Sequence, residues 1–241
     1  MLRRFSCFAV LLAVALLFVS QVASAALVDF NIPDEGPGDP TTNAQCLIGE
    51  TRAGNIATLG VIEPGAKFYQ LLDPAQCLAC SLVTGRAIES AVIRMRFLSA
   101  CDVVFRVQIV GASGGPACYA PDTANVLCMP SVQIVGEPAG QITTKNYTMT
   151  INNGCCIETA SFLSIEVVSM TCESNQIGNP FALPCSPCTQ YIVSPTYLPP
   201  GIAQQCEGGF SRNFRMWTEA DCCGAVPTLP RSWGSLKTLY R

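Results

Sequence analysis

The sequence contains no histidine. That absence removes Ser-His-Asp and Cys-His nucleophile activation, histidine metal ligation and haem attachment through Cys-x-x-Cys-His. A Ser-Lys dyad survives the exclusion, yet no motif surrounds Lys67, Lys145 or Lys237. Charge is scarce as well. Only 13% of residues are Asp, Glu, Lys or Arg and the formal net charge is −3, so the clustered cations that neutralise phosphates are missing and nucleic acid is not an expected partner. No apolar run beyond the N-terminal region is long enough to span a bilayer. There is no internal repeat, no stretch with the 3.6-residue period of an amphipathic helix and no cofactor fingerprint, so no cofactor is expected.

What the chain does have is cysteine. Residues 1–25 read as a secretory signal peptide: Arg3 and Arg4, the apolar run Phe8 to Val19, then Ala23-Ser24-Ala25 as a small-x-small cleavage site. Removing them leaves about 216 residues, enough for one large β domain. It also removes one of the fifteen cysteines, Cys7. The even remainder, Cys46, Cys77, Cys80, Cys101, Cys118, Cys128, Cys155, Cys156, Cys172, Cys185, Cys188, Cys206, Cys222 and Cys223, reads as a disulfide framework in a secreted, extracellular or cell-surface protein. Cys118 and Cys128 bracket a turn-rich loop and are expected to bond to each other. The neighbours Cys155/Cys156 and Cys222/Cys223 are expected to find separate partners. The Cys-x-x-Cys pairs 77/80 and 185/188 invite a four-thiolate zinc reading, which the oxidising compartment disfavours, so no metal is expected.

Period-two alternation dominates the rest and points to strands. Ala91, Ile93, Met95 and Phe97 share one side of an extended chain, with Val92, Arg94 and Arg96 on the other. After a polar break at 99–102, Val103, Phe105, Val107 and Ile109 alternate with Val104, Arg106 and Gln108. Two such runs predict a hairpin. Further strands are expected at Asn55–Glu63, Phe68–Leu72, Val132–Val135, Ile142–Ile151, Phe162–Val168, Gln190–Val193 and Phe214–Asp221, with a glycine-rich loop over 111–116 and a tight turn at Asn153-Gly154. About eight strands without helices predict an all-β, antiparallel jelly-roll or Greek-key sandwich over residues 46–224. A Pro- and Gly-rich acidic arm, 26–45, precedes it. Its carboxylates Asp29, Asp34, Glu35 and Asp39 miss the spacing of a calcium loop. A linker and tail, 225–241, follow.

The cysteine-bearing break near 101, Gly-Cys-Cys-Ile at 154–157, Met-Trp-Thr-Glu-Ala-Asp-Cys-Cys at 216–223 and the tail Trp-Gly-x-Leu-Lys-x-Leu-Tyr-Arg resemble a group of secreted bacterial cysteine-rich β-sandwich proteins of uncharacterised role. The similarity runs from about residue 75 to the end. It implies a sandwich, export and a tail that engages a sorting or anchoring partner, and it implies no activity.

The expected function is therefore a non-enzymatic interaction or structural module with an extracellular glycan or surface protein as partner. Two alternatives attach to particular residues. Trp217, flanked by Arg215 and Glu219 on one strand face and by Arg94 and Arg96 on its neighbour, has the ring-plus-polar pattern of a sugar platform. Glu166, Glu219 and Asp221 supply the carboxylates that a glycoside hydrolase pairs roughly 5 to 9.5 Å apart. The intact mass of the exported protein, thiol-blocked under denaturing conditions without reductant, tests compartment and scaffold together. A chain beginning at Ala26 with no labelled thiol is expected, whereas four labelled thiols would revive the zinc reading.

Overall fold

A computed structural model of the chain describes residues 27–29, 46–52, 56–59, 61–80, 85–182, 185–196, 201–207 and 213–223. The signal segment, most of the acidic arm with Asp34, Glu35 and Asp39, and the linker and tail from 224 onward lie outside the described residues. Within them the protein is all-β, with fourteen strands: β1 (Leu27–Asp29), β2 (Cys46–Glu50), β3 (Ile56–Leu59), β4 (Lys67–Leu72), β5 (Arg86–Phe97), β6 (Cys101–Gly115), β7 (Cys118–Glu137), β8 (Thr143–Ile157), β9 (Ser161–Met170), β10 (Ile177–Ala182), β11 (Gln190–Val193), β12 (Ala203–Gln204), β13 (Asn213–Phe214) and β14 (Met216–Cys222). The count exceeds the expected eight because pieces of two to four residues, such as β1, β12 and β13, are too short to show a period.

Every pairing is antiparallel, in two sheets. The first runs β1-β3-β10-β5-β14-β2, with β8 along the opposite edge of β5 and β13 against β10; the second runs β12-β11-β4-β9-β6-β7. Their facing sides form one core of alternating residues, among them Ala91, Ile93, Met95 and Phe97 of β5, Val103, Phe105, Val107 and Ile109 of β6, and Leu163, Ile165 and Val167 of β9. Rings interlock across it, Phe68 of β4 meeting Phe214 of β13 edge-on at 5.3 Å between centroids. A smaller cluster, Tyr69, Val110, Phe162 and Tyr191, lies apart from that core.

The expected β5–β6 hairpin is not formed. β5 pairs with β8, β14 and β10, and β6 with β7 and β9, so the break at 98–100 carries the chain from one sheet to the other. Both arrangements bury the same alternate residues, which is why the pattern alone cannot separate them. Nor is 111–116 an irregular loop: β6 continues through it to Gly115, opposite Cys118. Gly114 takes φ 85°, where a side chain is strained, and a Cβ at Gly111 would sit 2.5 Å from the Asn125 amide nitrogen. These glycines let the long ribbon bend, bringing Tyr119 against the second cluster, where its carbonyl accepts a hydrogen bond from the Tyr191 hydroxyl (2.5 Å). Asn153-Gly154 is likewise no turn. β8 runs through it, with residues 151–154 bulging opposite the single residue Glu89, between the pairs Thr150–Ser90 and Cys155–Ile88.

All fourteen expected cysteines are bonded, as 46–77, 80–222, 101–172, 118–188, 128–155, 156–223 and 185–206. Both neighbouring pairs do take separate partners. The expected 118–128 bond is replaced: β7 is an extended strand from 118 to 137, so the nine intervening residues hold the two thiols apart, and Cys118 reaches Cys188 while Cys128 reaches Cys155 of the other sheet. Replacing Cys118 with Ser therefore frees the Cys188 thiol to an alkylating reagent and leaves Cys128 protected; peptide mapping that finds Cys128 labelled would restore the local loop.

Candidate functional site

The end of β2 builds one wall of a polar cavity. Gly49 sits at φ 126°, and a Cβ there would lie 2.8 Å from the Met216 carbonyl oxygen, so both conformation and space demand glycine. The kink turns the Gly49 N–H toward Gln76, whose side-chain oxygen accepts it at 2.8 Å. It also leaves Glu50 folded back under its own backbone, 7% exposed.

Arg52 closes on Glu50 from the chain's next turn. Its Nε donates to Oε1 at 2.8 Å, its Nη2 to Oε2 at 2.5 Å and its backbone N–H to Oε1 at 2.9 Å, while Asn213 Nδ2 donates to Oε2 at 3.1 Å. Burial pushes the carboxyl upward, but these four hydrogen bonds and the guanidinium charge outweigh it and hold Glu50 below the usual carboxylate range. The Arg52 guanidinium is raised in return, chiefly by the hydrogen bond to Glu50.

The amides of Gln70, Gln76 and Asn213 share the remaining wall with Thr51, Ser186 and Thr189, and Gln190, which is not among the lining residues, holds Gln70 in place. Gln190 of β11 donates from Nε2 to Gln70 Oε1 (2.5 Å) and to the Phe214 carbonyl (2.6 Å), and accepts the Phe214 N–H (2.6 Å). Asn213 Nδ2 also donates to Thr189 Oγ1 at 3.1 Å. Gly49, Glu50, Arg52, Gln70, Gln76 and Asn213 are among the residues lining a space of about 280 Å³, near the lower end for small-molecule sites.

Asn213 carries one further feature. Its Nδ2 must face the Glu50 carboxylate, because the flipped amide would oppose oxygen to oxygen. That puts Oδ1 3.3 Å from Cys185 Sγ. The sulfur is bonded to Cys206 and has no hydrogen to donate. A residue only 1% exposed thus holds a carbonyl oxygen with no donor among the described residues, an arrangement that costs about 1–3 kcal/mol.

The residues singled out from sequence lie elsewhere. Trp217 and Glu219 do share the side of β14 away from Met216 and Ala220, with Arg215 just before the strand and Arg94 on β5 beside them, but this side is not wet. Arg94 and Arg215 are 1% exposed, Trp217 and Glu219 2%. Glu219 accepts from the Ser90 hydroxyl (2.7 Å), Arg94 donates to Asn146 (3.1 Å), and the Arg215 guanidinium stands 6.0 Å from the Trp217 ring. Arg96, half-buried, donates to Thr144 (2.9 Å). A sugar ring has no path to a covered indole, so the Trp217 platform is corrected to a buried face.

Of the three carboxylates, Glu166 does not join Glu219 and Asp221. Glu166 of β9 bonds Arg106 (2.9 Å) and Lys67 (3.4 Å) on the outer side of the second sheet, whereas Glu219 and Asp221 belong to the outer side of the first. Two sheets stacked about 10 Å apart separate them, so Glu166 cannot flank one glycosidic bond with either. The two Cys-x-x-Cys pairs do not meet: Cys185 bonds Cys206 and Cys188 bonds Cys118. Cys77 and Cys80 instead lie with Cys46, their sulfurs within 4.8 Å of one another, all three engaged in disulfides and so not thiolate ligands.

The Glu50 arrangement has a pH signature. A carboxyl with a lowered folded-state pKa adds stability above its unfolded value, near 4.3, and loses it as pH falls through the folded value. Glu50→Gln is expected to destabilise the protein by about 1–3 kcal/mol at pH 7, with the gap to wild type closing below about pH 4; denaturant titrations at both pH values read it, and a gap that stays constant would remove the charge from the account.

No curated protein and no solved structure matches the chain. Residues 44–220 match the model of a domain of unknown function, DUF7451, and as that span covers well over half of the chain, the protein belongs to this family.

Proposed function

We propose that the protein is an exported, non-enzymatic module of the extracellular space or cell surface, and that it binds a neutral, hydroxyl-rich group of a surface glycan in the cavity beside Glu50. The carrying observation is the lining of the cavity, where the polar side chains of Thr51, Gln70, Gln76, Ser186, Thr189 and Asn213 stand beside a Glu50–Arg52 pair that is already matched. A ligand hydroxyl both donates and accepts, and the amide of Gln76 and the hydroxyl of Thr51 offer groups of each kind.

Charge supports a neutral guest. The carboxylate in the wall is already matched by Arg52, so an ionic ligand would meet a compensated site. The same pairing supports binding over catalysis, because a Glu50 fixed in its ionised form by four hydrogen bonds is a poor proton donor near neutral pH. Seven disulfides favour the extracytoplasmic setting.

The jelly-roll reading belongs to the same proposal. Taking the eight strands that form the two central layers, β2, β14, β5 and β8 neighbour one another in that order in one sheet, and β4, β9, β6 and β7 in the other. Numbered consecutively these are 1-8-3-6 and 2-7-4-5, the double Greek-key order of that fold. A tail that engages a sorting or anchoring partner completes the reading.

Retention on a panel of insoluble neutral polysaccharides tests the site. Wild type is expected to be held by at least one of them, Ser186→Trp, which fills the mouth of the cavity, to pass through, and Trp217→Phe, which alters only the buried face, to be held like wild type. Retention of both wild type and Ser186→Trp, or of neither, would overturn the assignment.

A further inference from the structure

Strand β7 is an edge of the second sheet. Among the described residues it pairs with β6 alone. From Thr123 to Gly136 it holds no charged residue, and five of the nine exposed large apolar side chains of the described residues sit on it: Val126, Leu127, Met129, Val132 and Ile134, the last 70% exposed. Natural edge strands are normally blunted by a Lys, an inward charge or a covering element. β7 has Pro130 and the register shifts opposite Val107 to Gly111, which leave Ser131–Val135 as its regular, unblunted stretch.

The contrast with the facing edge is informative. β8 borders the first sheet, and its Thr150 backbone is closed by β7 itself: Gln133 Nε2 donates to the Thr150 carbonyl (2.6 Å), Gln133 Oε1 accepts the Thr150 N–H (3.1 Å) and the Ser131 hydroxyl donates to the same carbonyl (2.8 Å). Ser131 and Gln133 are thus turned toward the neighbouring sheet, and Val132 and Ile134 away from it. One edge is capped by side chains; the other carries an apolar face.

We propose that β7 is a homodimer interface, in which Ser131–Val135 of two copies pair antiparallel across a two-fold axis and continue the six-stranded sheet from one molecule into the other. Charge selects a second copy as the occupant. Two-fold pairing sets a strand against itself, so any charge in the segment meets its own sign, and this segment has none. It also lacks the charge pattern by which a strand would select a different partner. Pairing brings Val132 and Ile134 of the two copies together on one face and removes both from water. The assembly stops at two, because the far edge of the same sheet is β12, only two residues long.

The interface does not involve the cavity, so it stands or falls apart from the ligand. Light scattering on the oxidised full chain across the micromolar range is expected to show the mass doubling with concentration. Ile134→Lys and Ile134→Glu, substitutions at an exposed position that leave the core untouched, are each expected to remain monomeric with unchanged thermal unfolding. Mixing the two is expected to restore the dimer, since the opposite charges then lie within reach across the axis. Val168→Lys, at an exposed residue of β9, should dimerise like wild type. A wild type that is monomeric at every concentration, a dimer that survives Ile134→Lys, or a mixture that fails to pair would each overturn the interface.

Discussion

Two disulfides three residues apart set the geometry on which the rest depends. Cys77 and Cys80 follow directly on β4 in the second sheet and bond Cys46 of β2 and Cys222 of β14 in the first. Each crosslink contributes about 2–4 kcal/mol, largely by restricting the unfolded chain. Their positional effect is larger than their energy suggests. They pin the turn Pro74–Gln76 beneath Gly49, where Gln76 accepts the Gly49 N–H, and so align the end of β2 with β4. The cavity wall is the consequence, since Gln70 comes from β4 and Glu50 from β2.

Side-chain amides finish what the crosslinks begin. Gln190 and Gln133, both from the second sheet, each bond the N–H and the carbonyl of one residue in the first, Phe214 and Thr150. A glutamine amide carries one donor group and one acceptor with the same reach as a backbone peptide, so it pairs with a strand without belonging to one. In a chain with few charges this is an economical way to satisfy edges that would otherwise face apolar surroundings. Several of the few charges are matched by ion pairs, as in Glu50 with Arg52, Glu137 with Lys145 and Glu166 with Arg106 and Lys67.

These features explain what was legible in the sequence. Strands β9, β11 and β14 stand where alternation put them, because period two is a property of each strand by itself. The partners are not. The 98–100 break reads as a hairpin turn although it crosses between sheets, since either path buries Phe97 and Phe105. Alternation also separates two sides of β14 correctly while being silent on which is wet, and that silence misplaced Trp217. The cavity had almost no signal. Glu50 followed by Arg52 is a common pair of residue types, and Gln70, Gln76 and Asn213 come from three separate segments whose meeting depends on disulfide connectivity, which spacing does not encode. The one local sign was Gly49 following the apolar run Cys46–Ile48, a usual mark of a bulge or close backbone approach.

Rigidity then bears on recognition. A loop-built site loses affinity to the ordering of its side chains, at roughly 0.5–1.5 kcal/mol for each immobilised one. Here Gln70 and Gln190 are fixed by bonds to each other and to backbone, Asn213 by Glu50 and Thr189, and Glu50 by Arg52. The neighbouring chain is held by the Cys185–Cys206 bond. Little freedom remains to be lost on binding, so even a small guest making few hydrogen bonds keeps most of what those bonds supply. The same fixation limits the range of guests, because a wall whose amides are oriented by their own partners cannot turn a donor where it presents an acceptor. For the proposed guest, selectivity would follow from the direction of the amides and hydroxyls that line the cavity rather than from the area it buries.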